Sequence, residues 1–396
     1  MTSSQAVSAA VAKLYNTYPF PPEPLLDEPP PGYNWRWHWT AAYAFCAGRK
    51  PTTQSVRVLD AGCGTGVGTE YIAHLNPEAD ITAIDLSDRA IEVARERCQR
   101  SGASNATFQP LSIYDVDQLP GTFDWINCVG VLHHMPDSIR GLQKLASKLA
   151  PGGIIHIFVY AALGRWEISL MQEAIALLQG DRKGDYTDGV QVGRQLFAHL
   201  PEDNRLRLRE EKRWAWENQR DASFADMYVH PQEVDYTVDT LFELIDASGL
   251  DFLNFSNSNY WDLERLIGQI PDLMERTATL SPRQRYRLIE VLDPEITHYE
   301  FFLAKPPFSP VDWSDQALRQ ASPDRNPCMH GWPSRSILDC NYQPLELTET
   351  EHAFLEYCEQ QSEVVTVADC IAATNLDLDG VKSLQRRQLV ILTPDD

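Results

Sequence analysis

Val58-Leu-Asp-Ala-Gly-Cys-Gly-Thr-Gly66 is an apolar run closed by an acid and followed by glycines at every second position. A short apolar run of this kind is a buried strand, and the glycines let the chain leave it in a tight turn that brings backbone N–H groups close to a ligand. Residues 67–75, which follow, carry helical periodicity, so the stretch reads as strand, turn and helix. Such a unit opens several nucleotide-binding folds and on its own does not choose among them.

Outward from it the same alternation repeats. Strands are predicted at 56–60, 81–85, 106–109, 125–129 and 154–160, with helices at 67–75, 89–100 and 138–149 between them. Helical periodicity over 232–248 ends at Gly249, and strand-like runs follow at 250–256 and 298–305. The pattern predicts an α/β fold, a doubly wound, Rossmann-like sheet of seven strands over residues 56–305. Helical insertions at about 161–227 and 257–296 would lie at the sheet's ligand end and form a substrate cap.

The flanks differ. Residues 1–55 carry Tyr15-Asn-Thr-Tyr18-Pro-Phe-Pro-Pro22 and Trp35-Arg-Trp-His-Trp39, which predicts a stiff, extended aromatic lead that folds over the site as a lid or covers a sheet edge. After prolines at 306–310, residues 311–396 predict helices at 348–360, 365–374 and 378–387 and a strand at 389–392, a small winged-helix-like domain. From 346 to 396 eleven acids face three bases, so dimerisation or acceptor docking is the expected use, not DNA binding.

The whole chain repeats that charge bias, with 56 acidic against 34 basic side chains and a formal net charge of −22. Nucleic acid and anionic membrane are poor partners for such a surface. The first fourteen residues lack the basic start and apolar core of a leader, so a cytoplasmic protein is expected. The eight cysteines form no C-x-x-C pair, and Cys328, His330 and Cys340 match no standard zinc spacing, so no metal is expected.

Further motifs sharpen the reading. Asp60 closes the first strand, and Asp85 ends the second 25 residues later. Phe123-Asp-Trp-Ile-Asn-Cys-Val-Gly-Val-Leu-His-His134 forms the fourth strand and its exit, and Leu149-Ala-Pro-Gly-Gly153 precedes the fifth. Together these resemble the class I S-adenosylmethionine-dependent methyltransferases, with specific motifs over residues 56–160. The resemblance implies S-adenosyl-L-methionine as cofactor and S-adenosyl-L-homocysteine as product. It places Gly62, Gly64 and Gly66 around the methionine portion and Asp85 on the ribose hydroxyls. Ser112 and Ile113 flank the adenine, with Asp115 as the alternative register, while Leu86, Val129 and Tyr18 complete the cofactor pocket. Asp60 supports the loop or meets the methionine ammonium.

Methyl transfer from a sulfonium is an in-line displacement, so the protein aligns a nucleophile and handles one proton. His133 and His134 leave the fourth strand where an acceptor would sit, and one of them, with Tyr160, is the expected base or positioner. Consecutive residues leaving a strand point apart, so only one histidine should face the methyl. Tyr15, Arg165, Asp226, His230 and Glu233 are the candidate acceptor-binding residues, with a cap for the following helix as the structural alternative for His230 and an ion pair for Arg165.

The lead, the insertion after the fifth strand and the C-terminal extension resemble bacterial protein side-chain methyltransferases, among them the phycobiliprotein asparagine methyltransferases. That implies a protein acceptor, the asparagine amide of a phycobiliprotein β subunit. Amide methyltransferases commonly carry Asn/Asp-Pro-Pro-Tyr after the fourth strand, where this chain has Asn127-Cys-Val-Gly130. Lysine N-methylation, small-molecule methylation and a non-catalytic cofactor-binding scaffold remain the alternatives.

Overall fold

A computed structural model describes residues 3–361 and 363–395. By their contacts they form two units. The chain to Glu28, Arg57–Glu70 and Ile81–Pro306 make one, while Pro29–Val56, Tyr71–Asp80 and the chain from Pro307 make the other.

The first unit holds β1 (Arg57–Ala61), β2 (Asp80–Asp85), β3 (Ala106–Pro110), β4 (Phe123–Val129), β5 (Leu149–Tyr160), β6 (Asp251–Phe255) and β7 (His298–Ala304). They form one seven-stranded sheet in the order β3-β2-β1-β4-β5-β7-β6. β2 pairs parallel with β3, and β4 with both β1 and β5, while β7 runs antiparallel to β5 and β6. This is the expected Rossmann-like methyltransferase sheet. Leu59, Ile84, Ile126, Ile155, Ile157 and Phe301 are fully buried in its core, each worth roughly 1.5–3 kcal/mol of transfer free energy. The strand order reverses beside β1, which puts the ligand crevice at the carboxyl ends of β1, β2 and β4.

Two local expectations give way here. The helix expected over 232–248 is Val238–Ser248, opened by a Thr237–Thr240 capping box and closed by Gly249 at φ 73°. Pro231 removes a donor at the expected start, and Tyr236 is drawn to the end of β5, where its N–H reaches the Tyr160 carbonyl at 2.9 Å. Likewise the lead begins as a helix, Ser3–Thr17, and not as an extended strap. Its Leu14 is fully buried among Ile168, Met171, Phe224 and Tyr228 of the helical segments Trp166–Gln179 and Asp221–Tyr228. The lead therefore completes a second apolar core with the insertion that follows β5.

The second unit has its own core, built around Leu318, Phe354, Leu355, Val367, Val381 and Leu384. The three expected helices are Glu349–Gln360, Val367–Thr374 and Leu378–Arg386, and Val390–Thr393 pairs antiparallel with Ser322–Arg325. Residues 29–55, read from sequence as part of one lead with 1–28, are threaded into this unit together with Val56, read as the start of the first strand. Tyr33 stacks on Tyr342 with ring centroids 4.6 Å apart, Trp35 Nε1 donates to Asn341 Oδ1 at 3.1 Å, and Lys50 N donates to Leu392 O at 2.7 Å. No helix among the described residues is long and apolar enough to cross a membrane.

Candidate active site

The turn after β1 is fixed from two sides. Gly62 and Cys63 donate their N–H groups to the Ile84 carbonyl at 2.8 and 2.9 Å, which ties the loop to the end of β2. Gly64 and Gly66 sit at φ 52° and 82°, the region where a side chain is strained. A Cβ on Gly66 would stand 2.7 Å from Cβ of Ala94, so its absence lets the helix Asp88–Ser101 close on the loop. A Cβ on Gly64 would stand 2.4 Å from the Phe20 carbonyl oxygen. The proline-rich lead thus lies directly on the loop, where Thr65 N and Oγ1 bond the carbonyls of Phe20 and Pro21 at 3.0 and 2.6 Å.

Arg97 holds that lead down. Its buried guanidinium pairs with Glu70 at 3.4 Å and donates to the carbonyls of Thr65, Pro24 and Glu23 at 2.9, 2.9 and 2.7 Å. Asn16 Oδ1 accepts from Ser87 Oγ at 2.7 Å and ties the lead to the exit of β2. Neither residue was singled out in the sequence. Asn16 belongs to the Tyr-Asn-x-Tyr lead and was visible there, whereas Arg97 looks like any surface arginine of an amphipathic helix.

Asp85 Oδ2 accepts from Gly64 N at 2.9 Å and its Oδ1 from Ser87 N at 2.8 Å. Burial raises its pKa against these donors. A carboxylate offers about four lone-pair sites, so the backbone donors leave acceptor capacity for a further hydroxyl. Asp60 Oδ1 and Oδ2 accept from Asn127 Nδ2 at 2.8 Å and Thr69 Oγ1 at 2.5 Å. Asn127 Oδ1 in turn meets His156 Nδ1 at 2.9 Å, so Asp60 braces β1 against β4 and β5. Ser112 Oγ caps Tyr114 N at 3.2 Å, Ile113 is buried, Asp115 is exposed, and Leu86 beside Asp85 is 40% exposed. A Cβ on Gly130, just past Val129, would meet nothing within 4 Å. An acid beside open backbone, a hydroxyl and apolar side chains fit a nucleoside with a charged tail.

The second half of the site is a cluster of rings. His133 and His134 lie in a 3-10 turn, Leu132–His134, and not on a strand, so they do not point apart. Their ring centroids are 4.1 Å from each other, His133 lies 3.9 Å from Tyr160, and His134 stacks on His230 at 3.7 Å. His134 Nδ1 is 3.0 Å from the Gln232 carbonyl, and His230 Nδ1 accepts from Gln232 N at 3.1 Å. His230 does not cap the next helix; Thr237 does. Both ring nitrogens of His133 and Nε2 of His230 are buried without a hydrogen-bond partner among the described residues.

Burial holds all three imidazoles neutral, and it pushes His134 down to about 3. The Arg165 guanidinium lies 3.4 Å over the Tyr160 ring and pairs with Glu233 at 3.0 Å and Asp235 at 3.7 Å. Burial raises Glu233 above the usual carboxylate range, against the attraction of the Arg165 guanidinium. Tyr15 Oη donates to Asp226 Oδ1 at 2.8 Å, while burial raises Asp226 to about 6. Tyr18 packs on the apolar core shared by the lead and the insertion. Asp235 and Gln232, unnoticed in sequence, complete the group, and their signal was proximity to Glu233 in the His-Pro-Gln-Glu run.

Residues 52–199 match a family model described as a methyltransferase domain. With the seven-stranded sheet, this defines the class: the protein is an S-adenosylmethionine-dependent methyltransferase. More narrowly, it belongs to one family with an uncharacterised protein of Synechococcus, to which it is 60% identical over 392 residues, 98% of this chain and 94% of that one. It is also similar to the uncharacterised phycocyanin operon protein W of Pseudanabaena tenuis, 71% identical over 94 residues that span 24% of this chain and 89% of that protein. In fold it is similar to PKMT2 of Rickettsia typhi solved with AdoHcy, with a TM-score of 0.62 at 17% identity, covering 92% of this chain and 77% of that one.

Proposed function

We propose that the protein methylates a side-chain nitrogen of a protein, and that this nitrogen is the asparagine amide of a phycobiliprotein β subunit. The observation that carries the reading is the buried, neutral His133, whose two ring nitrogens have no partner among the described residues. A neutral imidazole presents one N–H and one lone pair, the complement of a carboxamide's oxygen and N–H. An ammonium ion would seek anions, and the nearby acids are already engaged, Asp226 by Tyr15 and Glu233 by Arg165. Kinship with a phycocyanin operon protein supports the choice of acceptor. The usual amide-binding motif is replaced at the end of β4, and Asn127, within β4, is tied to Asp60, so the histidines take over amide recognition.

The cofactor supplies an electrophilic methyl group. Asp85 holds its ribose, Gly62, Gly64 and Gly66 its methionine portion, and Ser112, Ile113, Leu86 and Val129 its base, while Asp60 supports the loop and Tyr18 helps to close the lead. His133 orients the amide, with His134 and Tyr160 holding its ring in place. The lone pair of the neutral His133 ring takes the proton that the amide loses, and it need not be a strong base, because an amide nitrogen becomes strongly acidic as the new bond forms. The protein acts in the cytoplasm on a protein, without nucleic acid or membrane.

Radiolabelled cofactor, the purified protein and phycocyanin β subunit from a strain lacking this gene test the proposal. Acid hydrolysis of the labelled subunit should release methylamine, the signature of a methylated carboxamide. Label recovered as methyllysine would install the lysine reading instead, and label confined to small molecules would remove a protein acceptor.

A further inference from the structure

The helix Trp166–Gln179 begins one residue beyond Arg165 and turns an apolar stripe to solvent. Trp166, Leu170 and Leu177 are 36%, 48% and 75% exposed, and their spacings of four and seven residues place them along one face. Glu173 interrupts that stripe. The helix Arg205–Arg213 packs beside it, with the Arg205 guanidinium 5.0 Å from the Trp166 ring centroid and Arg209 Nε 2.7 Å from Glu167 Oε1. Leu208, 48% exposed, stands between Arg205 and Lys212 on the same outer face.

The charges on the second helix of this ridge invert the chain's bias, while the first, residues 166–179, has two acids, Glu167 and Glu173, and no base. Residues 205–213 carry five bases against two acids, in a chain with 34 bases against 56 acids. Arg207, Arg209 and Arg213 are paired with Glu211, Glu167 and Glu295. Arg205 and Lys212 make no ion pair among the described residues. An exposed apolar stripe edged by cations that have no ion-pair partner among the described residues is the complement of an apolar patch with an acidic rim.

We infer that this ridge docks the methyl-accepting protein and selects an acceptor with an acidic surface. The inference rests on the reading of a protein acceptor given above. A small acceptor has no use for a contact surface outside the cluster of rings, and the stripe starts next to the arginine that fixes Tyr160. An acidic acceptor approaching a chain of net charge −22 is repelled over most of its surface, so a local cationic edge also orients it.

Two double variants test this with the phycocyanin β subunit as acceptor: Leu170→Asp with Leu177→Asp, and Arg205→Glu with Lys212→Glu. All four side chains are exposed, and cofactor affinity by calorimetry controls for folding. Each double variant should raise KM for the subunit by about tenfold or more while kcat stays within about twofold. Turnover of a short peptide around the target asparagine should not change. Raising ionic strength should mimic the charge reversal in the wild type and have little further effect on the charge-reversed variant.

If the wild type methylates the subunit and both variants keep its KM, the ridge inference falls while the proposed function stands. If the wild type methylates only small molecules, both fall. A dimeric wild type that the leucine variant converts to a monomer with unchanged KM would make the ridge a contact between copies of this chain and overturn the inference.

Discussion

The glycine loop and the histidine cluster are the two halves of the candidate site, and they are built in opposite ways. The loop half comes from a few consecutive residues after β1 and one acid at the end of β2, and its shape follows from local rules, with positive φ at Gly64 and Gly66 and backbone bonds to Ile84. The histidine half is drawn from Tyr15, the turn Leu132–His134, the exit of β5 and residues 226–235, and only tertiary packing brings these together. The first half is therefore sensitive to backbone freedom and the second to burial.

That difference sets the largest expected effect on the loop. Gly64→Val places a branched side chain at φ 52° against the Phe20 carbonyl oxygen, which stands 2.4 Å from a Cβ there. Left-handed strain and overpacking together cost about 2–5 kcal/mol of stability, measured as the shift in urea unfolding, and cofactor affinity should fall with it. A variant of normal stability and affinity would show that the lead does not press on the loop.

Asp85→Ala comes next. It removes the acceptor of the Gly64 and Ser87 N–H groups and the carboxylate proposed to hold the ribose, so calorimetry should show a loss of about 1.5–3 kcal/mol in cofactor binding. Changes at His133 or His134 should leave that affinity intact. Equal losses from both halves would break the division between them.

The same division explains what could be read in advance. Apolar strands closed by Asp60 and Asp85, and glycines before a helix, carry their own geometry, so the sheet and the loop were legible to within a few residues. The histidines were legible as residue types and not as orientations, because a strand exit and a 3-10 turn look alike in sequence while sending side chains in different directions. Residues 29–55 were misgrouped with residues 1–28 for a similar reason. Tyr33 and Trp35 announce that they must pack, and the sequence does not say that their partners are Tyr342 and Asn341, some three hundred positions away.

His134 carries the third prediction. Burial pushes it down to about 3, so it is neutral throughout the range in which the enzyme would be assayed. His134→Asn should slow transfer by about 10- to 100-fold through lost positioning, with no change in the shape of the rate profile between about pH 6 and 8. An inflection near the ordinary histidine value in the wild type, absent in the variant, would show that the ring titrates during turnover and that the cluster is far wetter than its packing indicates.

The smallest effect comes from Asp226, and it isolates burial from catalysis. Its carboxyl is raised from 3.8 to about 6 because burial outweighs the stabilising hydrogen bond from Tyr15 and the charge of Arg165. An acid whose pKa is higher in the folded state holds its proton there while the unfolded chain has already lost it. Its contribution to stability is therefore full below about pH 4 and is lost as pH rises toward 6. Asp226→Asn keeps an oxygen to accept from Tyr15 but has no proton to lose, so the fall in stability across that window should be shallower by about 1–2 kcal/mol than in the wild type. At neutral pH the variant should then be as stable as the parent or more so, because it no longer buries a charge beside a phenol. Urea unfolding of both proteins at a series of pH values checks this, and the difference between them is what is read, because the buried histidines, whose depressed values remove stability as pH falls from about 6.5, contribute equally to both and cancel. A variant that loses stability at neutral pH, with the pH slope unchanged, would mean that the ionised carboxylate is well solvated or bonded in the fold, and that the ring cluster is held together by charge and not by exclusion of water.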